Sequence, residues 1–190
     1  MQLELQDKER ELIGYRQEVA KINKQLEKFL LQMSSQLELA GLIQKALVPT
    51  EIPHIKGFEF STKFVPSPVS GGDYFDIFEL EDKLKFGVLV ASTSGHGMAA
   101  LFLSVLLKLT SQIEARKGMK PDEVLKHMAI EIQKNLKGDD SAHVFYAVID
   151  RRTFNLEYSR SGDLYTYLYK HDVDKVVRLD ATQPSISQKT

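Results

Sequence analysis

The chain contains no cysteine. Disulfides and thiolate metal sites are therefore excluded, and a reducing compartment fits. It has no excess of either charge: 25 Lys and Arg stand against 26 Asp and Glu, a net charge of −1. A global basic footprint for nucleic acid and an acidic tail are both absent. Long apolar runs are missing too. The longest, Met98 to Leu103, is far shorter than a bilayer span. The polar, charged N-terminus does not read as a signal peptide. No nucleophile elbow, P-loop or dinucleotide fingerprint occurs. These absences lead to the expectation of a soluble cytoplasmic protein, with no nucleic-acid partner and no membrane segment in this chain.

What is present is an apolar fraction of 43% beside 27% charge, enough for a real core. The 190 residues accommodate one domain and an extension. Residues 1–48 read as one helix. Leu5, Leu12, Val19, Leu26 and Met33 recur every seven residues, with Tyr15, Ile22 and Phe29 at the second core position and Lys8 and Gln36 as weak members. Such a seam needs a partner, either a second copy in a parallel coiled-coil dimer or the domain that follows. Pro49 and Pro53 end the helix and open a linker over 49–56.

From residue 57 the texture changes. "GFEFSTKFV" and "YFDIFEL" alternate with period two, and "LKFGVLVAS" is continuously apolar, like a central strand. A helix over about 97–117 follows, apolar nearly all round in its first turns, which predicts burial on more than one side. Gly118 is a plausible cap. A second helix opens at Pro121, with Leu125, Met128, Ile132 and Leu136 on one face. Strands follow at "HVFYAVID", "NLEYSRSGDLYTYLYK" and "KVVRLD". Strands, two helices, then strands make an α+β pattern.

Three short stretches carry candidate chemistry. "SGGDYFD" sets a flexible glycine pair, Gly71 and Gly72, before Asp73, with Asp76 close behind. Hard cations such as Mg²⁺ or Mn²⁺ want such oxygen donors, but the same pattern is also an ordinary turn into a strand. "STSGHG", with Ser92, Thr93, Gly95 and His96, either offers backbone N–H groups to an anion or is a tight turn capped by Ser94. "RSGD", ending at Asp163, is a functional loop or a bulge in a long hairpin. His54, His127, His143 and His171 are scattered, with no ligand spacing among them.

Taken in order, "LAGLIQKALVP", "FVPSPVSGGDYFD", "SGHGMAA" and a hairpin with "SGD" resemble the SpoIIE/RsbU-like branch of the metal-dependent PPM serine/threonine phosphatases, over roughly Leu39 to Asp180. The resemblance implies an α–β–β–α sandwich, incomplete at its C-terminal side, behind the coiled-coil helix. It implies two Mn²⁺ or Mg²⁺ ions that activate water against phosphoserine or phosphothreonine. The implied partners are a phosphorylated STAS-domain protein and an upstream sensor or activator working through the coil. The implied metal ligands are Asp73, Gly72 and Asp76, with Thr93, Gly95, His96 and Asp163 at the site's edge. The chain departs from the family pattern where the turn normally carries a ligand Asp, because Ser92 stands there. It departs again where the hairpin normally reads Ala-Gly-His, because Ser161, Gly162 and Asp163 stand there. Further acidic ligands belong to strands that would follow Thr190. Two divalent ions ~4 Å apart repel by about 4 kcal/mol even in water, so lost carboxylates matter. Three readings result: a PPM-type phosphatase, impaired in this chain; an inactive pseudophosphatase that binds a signalling partner; or a coil-driven dimeriser with a relict domain.

Overall fold

The computed structural model describes residues 2–47, 49, 51–65, 72–94, 98–113, 115–134 and 140–187. The chain forms two compact units, Met1–Leu39 and Ala40–Thr190. Helix α1 spans Gln2–Leu47, as the unbroken heptad pattern predicts. Its seam residues Leu12, Tyr15, Val19, Ile22, Leu26, Phe29 and Met33 are all exposed. The last turns of α1 belong to the second unit. Ala40 is fully buried there, and the Lys108 ammonium donates to the Leu47 carbonyl at 2.6 Å.

The second unit is built on β1 (Tyr74–Glu79), β2 (Lys85–Thr93), α2 (Met98–Ile113), α3 (Pro121–Gln133), β3 (Ser141–Asp150), β4 (Leu156–Ser161), β5 (Tyr167–Lys170), β6 (Lys175–Arg178) and β7 (Ile186–Ser187). Strands β1-β2-β3-β4 form an antiparallel sheet in that order, with β7 pairing the start of β3, and β5-β6 form a separate two-stranded ladder. The expected α+β fold with a long N-terminal helix is what is observed. Among the described residues, α2 and α3 cover one face of the large sheet, and the β5–β6 ladder stands apart as a hairpin with Tyr167, Tyr169 and Val176 exposed.

Alternation divides the large sheet into two faces. Tyr74, Phe78, Leu89, Ala91, Val144, Tyr146 and Val148 face the helices and pack with Leu103, Leu107, Leu125, Met128 and Ile132. Burial pushes the Tyr146 phenol far above its ordinary pKa. On the other face, Ile77, Phe86, Val88 and Ile149 gather Ile52, Ile55, Phe58 and Phe60.

Three expectations need correction. The stretch 57–65 joins no ladder. Its alternating aromatics pack across the sheet instead, with Phe58 and Phe60 edge-on to Phe86 at 4.7 and 5.6 Å. Helix α2 is buried on one side only, because nothing in the described structure covers its outer side, where Phe102, Leu109 and Ile113 are exposed. The long strand read over 155–170 is broken. Gly162 takes φ +73°, ending β4 and sending the chain into the second ladder. The second helix begins with Pro121 in its first turn, and Gly118 takes a positive φ just before it.

Candidate functional site

The site is assembled at one end of the large sheet, where β1 begins, β2 ends, β3 begins and β4 ends. Residues facing away from the helices form a row across three strands. Ser92 pairs with His143 in register, and Asp73 precedes the Tyr74–Ala91 pair and so stands opposite Ser92. The side chains confirm the pairing: the Ser92 hydroxyl donates to Asp73 Oδ1 at 2.7 Å. Asp73 is exposed, while Ser92 and His143 are half-buried.

Gly72 is explained by close packing. A Cβ there would lie 1.6 Å from the Thr93 Oγ1. Thr93 donates to the Gly72 carbonyl twice, from its N–H at 3.3 Å and from its hydroxyl at 3.2 Å. That occupies both lone pairs of the carbonyl. Ser94 ties β2 to β3. Its N–H donates to the Ser141 carbonyl at 2.8 Å, and its Oγ accepts from the Ser141 N–H at 2.6 Å. Gly95 and His96 lie outside the described residues.

Asp163 joins the row through its backbone. Its N–H donates to His143 Nδ1 at 2.9 Å, while its carboxylate is exposed. That bond assigns a lone pair to Nδ1, so the neutral ring carries its proton on Nε2, 3.4 Å from the Ser141 hydroxyl. Gly162 makes room for the ring, since a Cβ there would meet His143 Nδ1 at 2.2 Å. His143 is the residue that the reading of the sequence missed. Period-two alternation along β3 was its signal, but only the register with β2 reveals that it neighbours Ser92.

Asp76 is a correction. It lies three residues after Asp73 on a strand, and an odd separation puts it on the opposite face. There it is 8% exposed and accepts a hydrogen bond from the Tyr74 hydroxyl at 2.9 Å. Asp73 and Asp76 therefore cannot serve one cation site together.

Among the described residues, the donor set does not fit the two-ion centre that the resemblance implies. Asp73 receives the Ser92 proton, the Gly72 carbonyl is occupied, and Asp76 is behind the sheet. Among the described residues no group of three or more His, Cys, Asp or Glu side chains could hold a metal ion. What remains is a polar, mostly self-satisfied row with one exposed carboxylate at each end, Asp73 and Asp163.

An antiparallel sheet with two helices on one face and a polar row at the opposite face's end defines an α+β domain with its candidate site at that end of the sheet. The family model for stage II sporulation protein E (SpoIIE) matches residues 82–188, more than half of the chain. The chain belongs to this family, in the SpoIIE/RsbU-like PPM phosphatase group. It is similar to the phosphoserine phosphatase RsbU of Bacillus subtilis (strain 168), 22% identical over 150 residues, covering 79% of this chain and 44% of that protein. The chain thus spans less than half the length of this relative. In fold it resembles the crystal structure of RsbU and RsbW domains from Mycobacterium tuberculosis, with a TM-score of 0.51 and 22% identity over 62% of this chain and 32% of that one. Among the described residues no helix is long and apolar enough to cross a membrane.

Proposed function

We propose that this chain is a cytoplasmic partner-switching domain that engages a phosphorylated STAS-type protein, and that its two-metal hydrolysis of phosphoserine is impaired. Family membership and the Gly72-Asp73 entry to β1 support the phosphatase class. The observation that carries the impairment is the 2.7 Å bond from Ser92 to Asp73. The pair is satisfied without a cation. A phosphate dianion reaching this row meets Asp73 as a like charge, at about 3 kcal/mol per unit-charge pair for ~5 Å and an effective dielectric of 20. Mn²⁺ or Mg²⁺ would remove that barrier and lower the pKa of an attacking water, but the donors to hold two ions are not assembled among the described residues.

The same bond favours a second reading: an inactive pseudophosphatase that binds its partner through the retained fold. A phosphorylated STAS domain incubated with the protein and MnCl₂ separates the two. Release of phosphate above an Asp73→Ala control supports the enzyme. Binding without release supports the pseudophosphatase, and the absence of both binding and release contradicts both readings.

The exposed α1 seam supports a parallel homodimer that receives an upstream sensor or activator. Each seam leucine buried in a dimer contributes roughly 1.5–3 kcal/mol. Leu26→Glu is expected to convert a dimer to monomer in equilibrium sedimentation, and a wild-type monomer at high concentration would contradict the pairing.

A further inference from the structure

We infer that the Asp73–Ser92 pair makes this end of the sheet independent of divalent cations, the serine proton standing where a cation would otherwise hold two facing acids together. The inference rests on reading this row as the functional site, but it concerns metal binding and not turnover. Directly opposed residues on antiparallel strands have Cβ atoms ~5 Å apart, and like charges there destabilise the pair. A carboxylate facing another carboxylate at 73 and 92 would need a cation between them. A carboxylate facing a hydroxyl needs none, because the hydroxyl supplies a short charge-assisted bond, here 2.7 Å.

Two further observations point the same way. The Gly72 carbonyl, the neighbouring hard oxygen, already accepts two bonds from Thr93. Asp76, the next acid along β1, is turned to the helix face and bonded by Tyr74. Among the described residues, a divalent ion approaching Asp73 finds one carboxylate oxygen without the Ser92 bond and no second carboxylate beside it. Mg²⁺ and Mn²⁺ demand several oxygen ligands, so such a contact is weak.

The test uses the full 190-residue chain. Mn²⁺ binding is followed by electron paramagnetic resonance, and thermal melting is recorded with and without 1 mM MnCl₂. For wild type, the melting temperature is expected to move by less than about 1 °C, with dissociation constants in the millimolar range. Ser92→Asp is expected to melt below wild type without metal. It should bind Mn²⁺ at least tenfold more tightly and recover by about 4 °C or more at 1 mM. Folding of Ser92→Asp only when Mn²⁺ is present also supports the inference. Micromolar Mn²⁺ binding by wild type, lost in Asp73→Ala, would overturn it, and this arm stands even if Ser92→Asp never folds. A Ser92→Asp protein as stable as wild type and no better at binding Mn²⁺ would overturn it as well. Failure of the STAS-type partner to bind would leave these readouts untouched, so the two proposals fail separately.

Discussion

Asp73 and Asp76 belong to one short stretch of chain, yet they inhabit different environments. Asp76 lies on the face that α2 and α3 cover, beside Leu89 and Tyr146, both 0% exposed. Asp73 lies at the end of the other face, exposed and bonded to Ser92. The two faces share every strand and differ only in the parity of the residue. On the covered face, side chains are chosen for fit and polar groups must find protein partners. The other face is itself covered at its centre, where Phe58 and Phe60 pack on Phe86, and its end around Asp73 stays accessible, so that end is where a ligand can be recognised. An acid near a glycine pair is therefore a site candidate only if its parity puts it at that accessible end.

The largest expected effect sharpens this contrast. Leu89→Ala should cost about 2–5 kcal/mol in urea denaturation, through lost burial and a cavity under the helices. Val90→Ala, one residue on and 38% exposed, should cost less than about 1 kcal/mol. Equal losses would break the two-face account. Next comes Gly162→Ala, where left-handed backbone strain adds to collision with His143. It should lose roughly 2–3 kcal/mol, and His143→Ala in the same chain should recover part of that.

A smaller effect divides the two acids. Asp76→Ala removes the acceptor of the Tyr74 hydroxyl bond and should cost about 1–2 kcal/mol. It should leave the response to a phosphorylated partner unchanged once the protein is folded. Asp73→Ala should cost less than about 1 kcal/mol and change that response. The reverse pattern would place the site on the wrong face.

The smallest effect lies at the opposite end of the sheet, in the β3–β4 turn. Backbone N–H groups of Thr153 and Arg152 bond Asp150 Oδ1 at 3.0 and 2.8 Å and hold its carboxyl below the ordinary value. A lowered folded-state value means that the stabilisation is present above the unfolded carboxyl's pKa. It is lost as pH falls through the folded-state value. Asp150→Ala should therefore be less stable than wild type at pH 7, and the gap should close below about pH 3. Melting curves across that range check it.

Much of the fold was legible. The heptads of α1, the alternation in β1, the continuous apolar run of β2 and Pro121 each act locally, and each element formed where they placed it. The stretch 57–65 was misread because alternation reports a two-sided environment, and packing across a sheet face produces it as well as ladder pairing does. Of the site, Asp73 and Ser92 are each named through the family pattern, their pairing comes from the β1–β2 register, and the parity of Asp76 can be read from the three-residue step. His143 could not have been found so directly. Its neighbours are Ser92 and the Asp163 backbone, brought together by strand register and by the positive φ of Gly162, both long-range facts.

The central claim is that a serine proton occupies the place between facing strands where a cation would sit. The most direct measurement is a crystal structure of the protein grown with MnCl₂, with data collected at the manganese edge. The account predicts Ser92 Oγ within hydrogen-bond reach of Asp73, with no anomalous peak between β1 and β2. A manganese peak on Asp73, with the Ser92 hydroxyl turned away or bound to the ion, would contradict it.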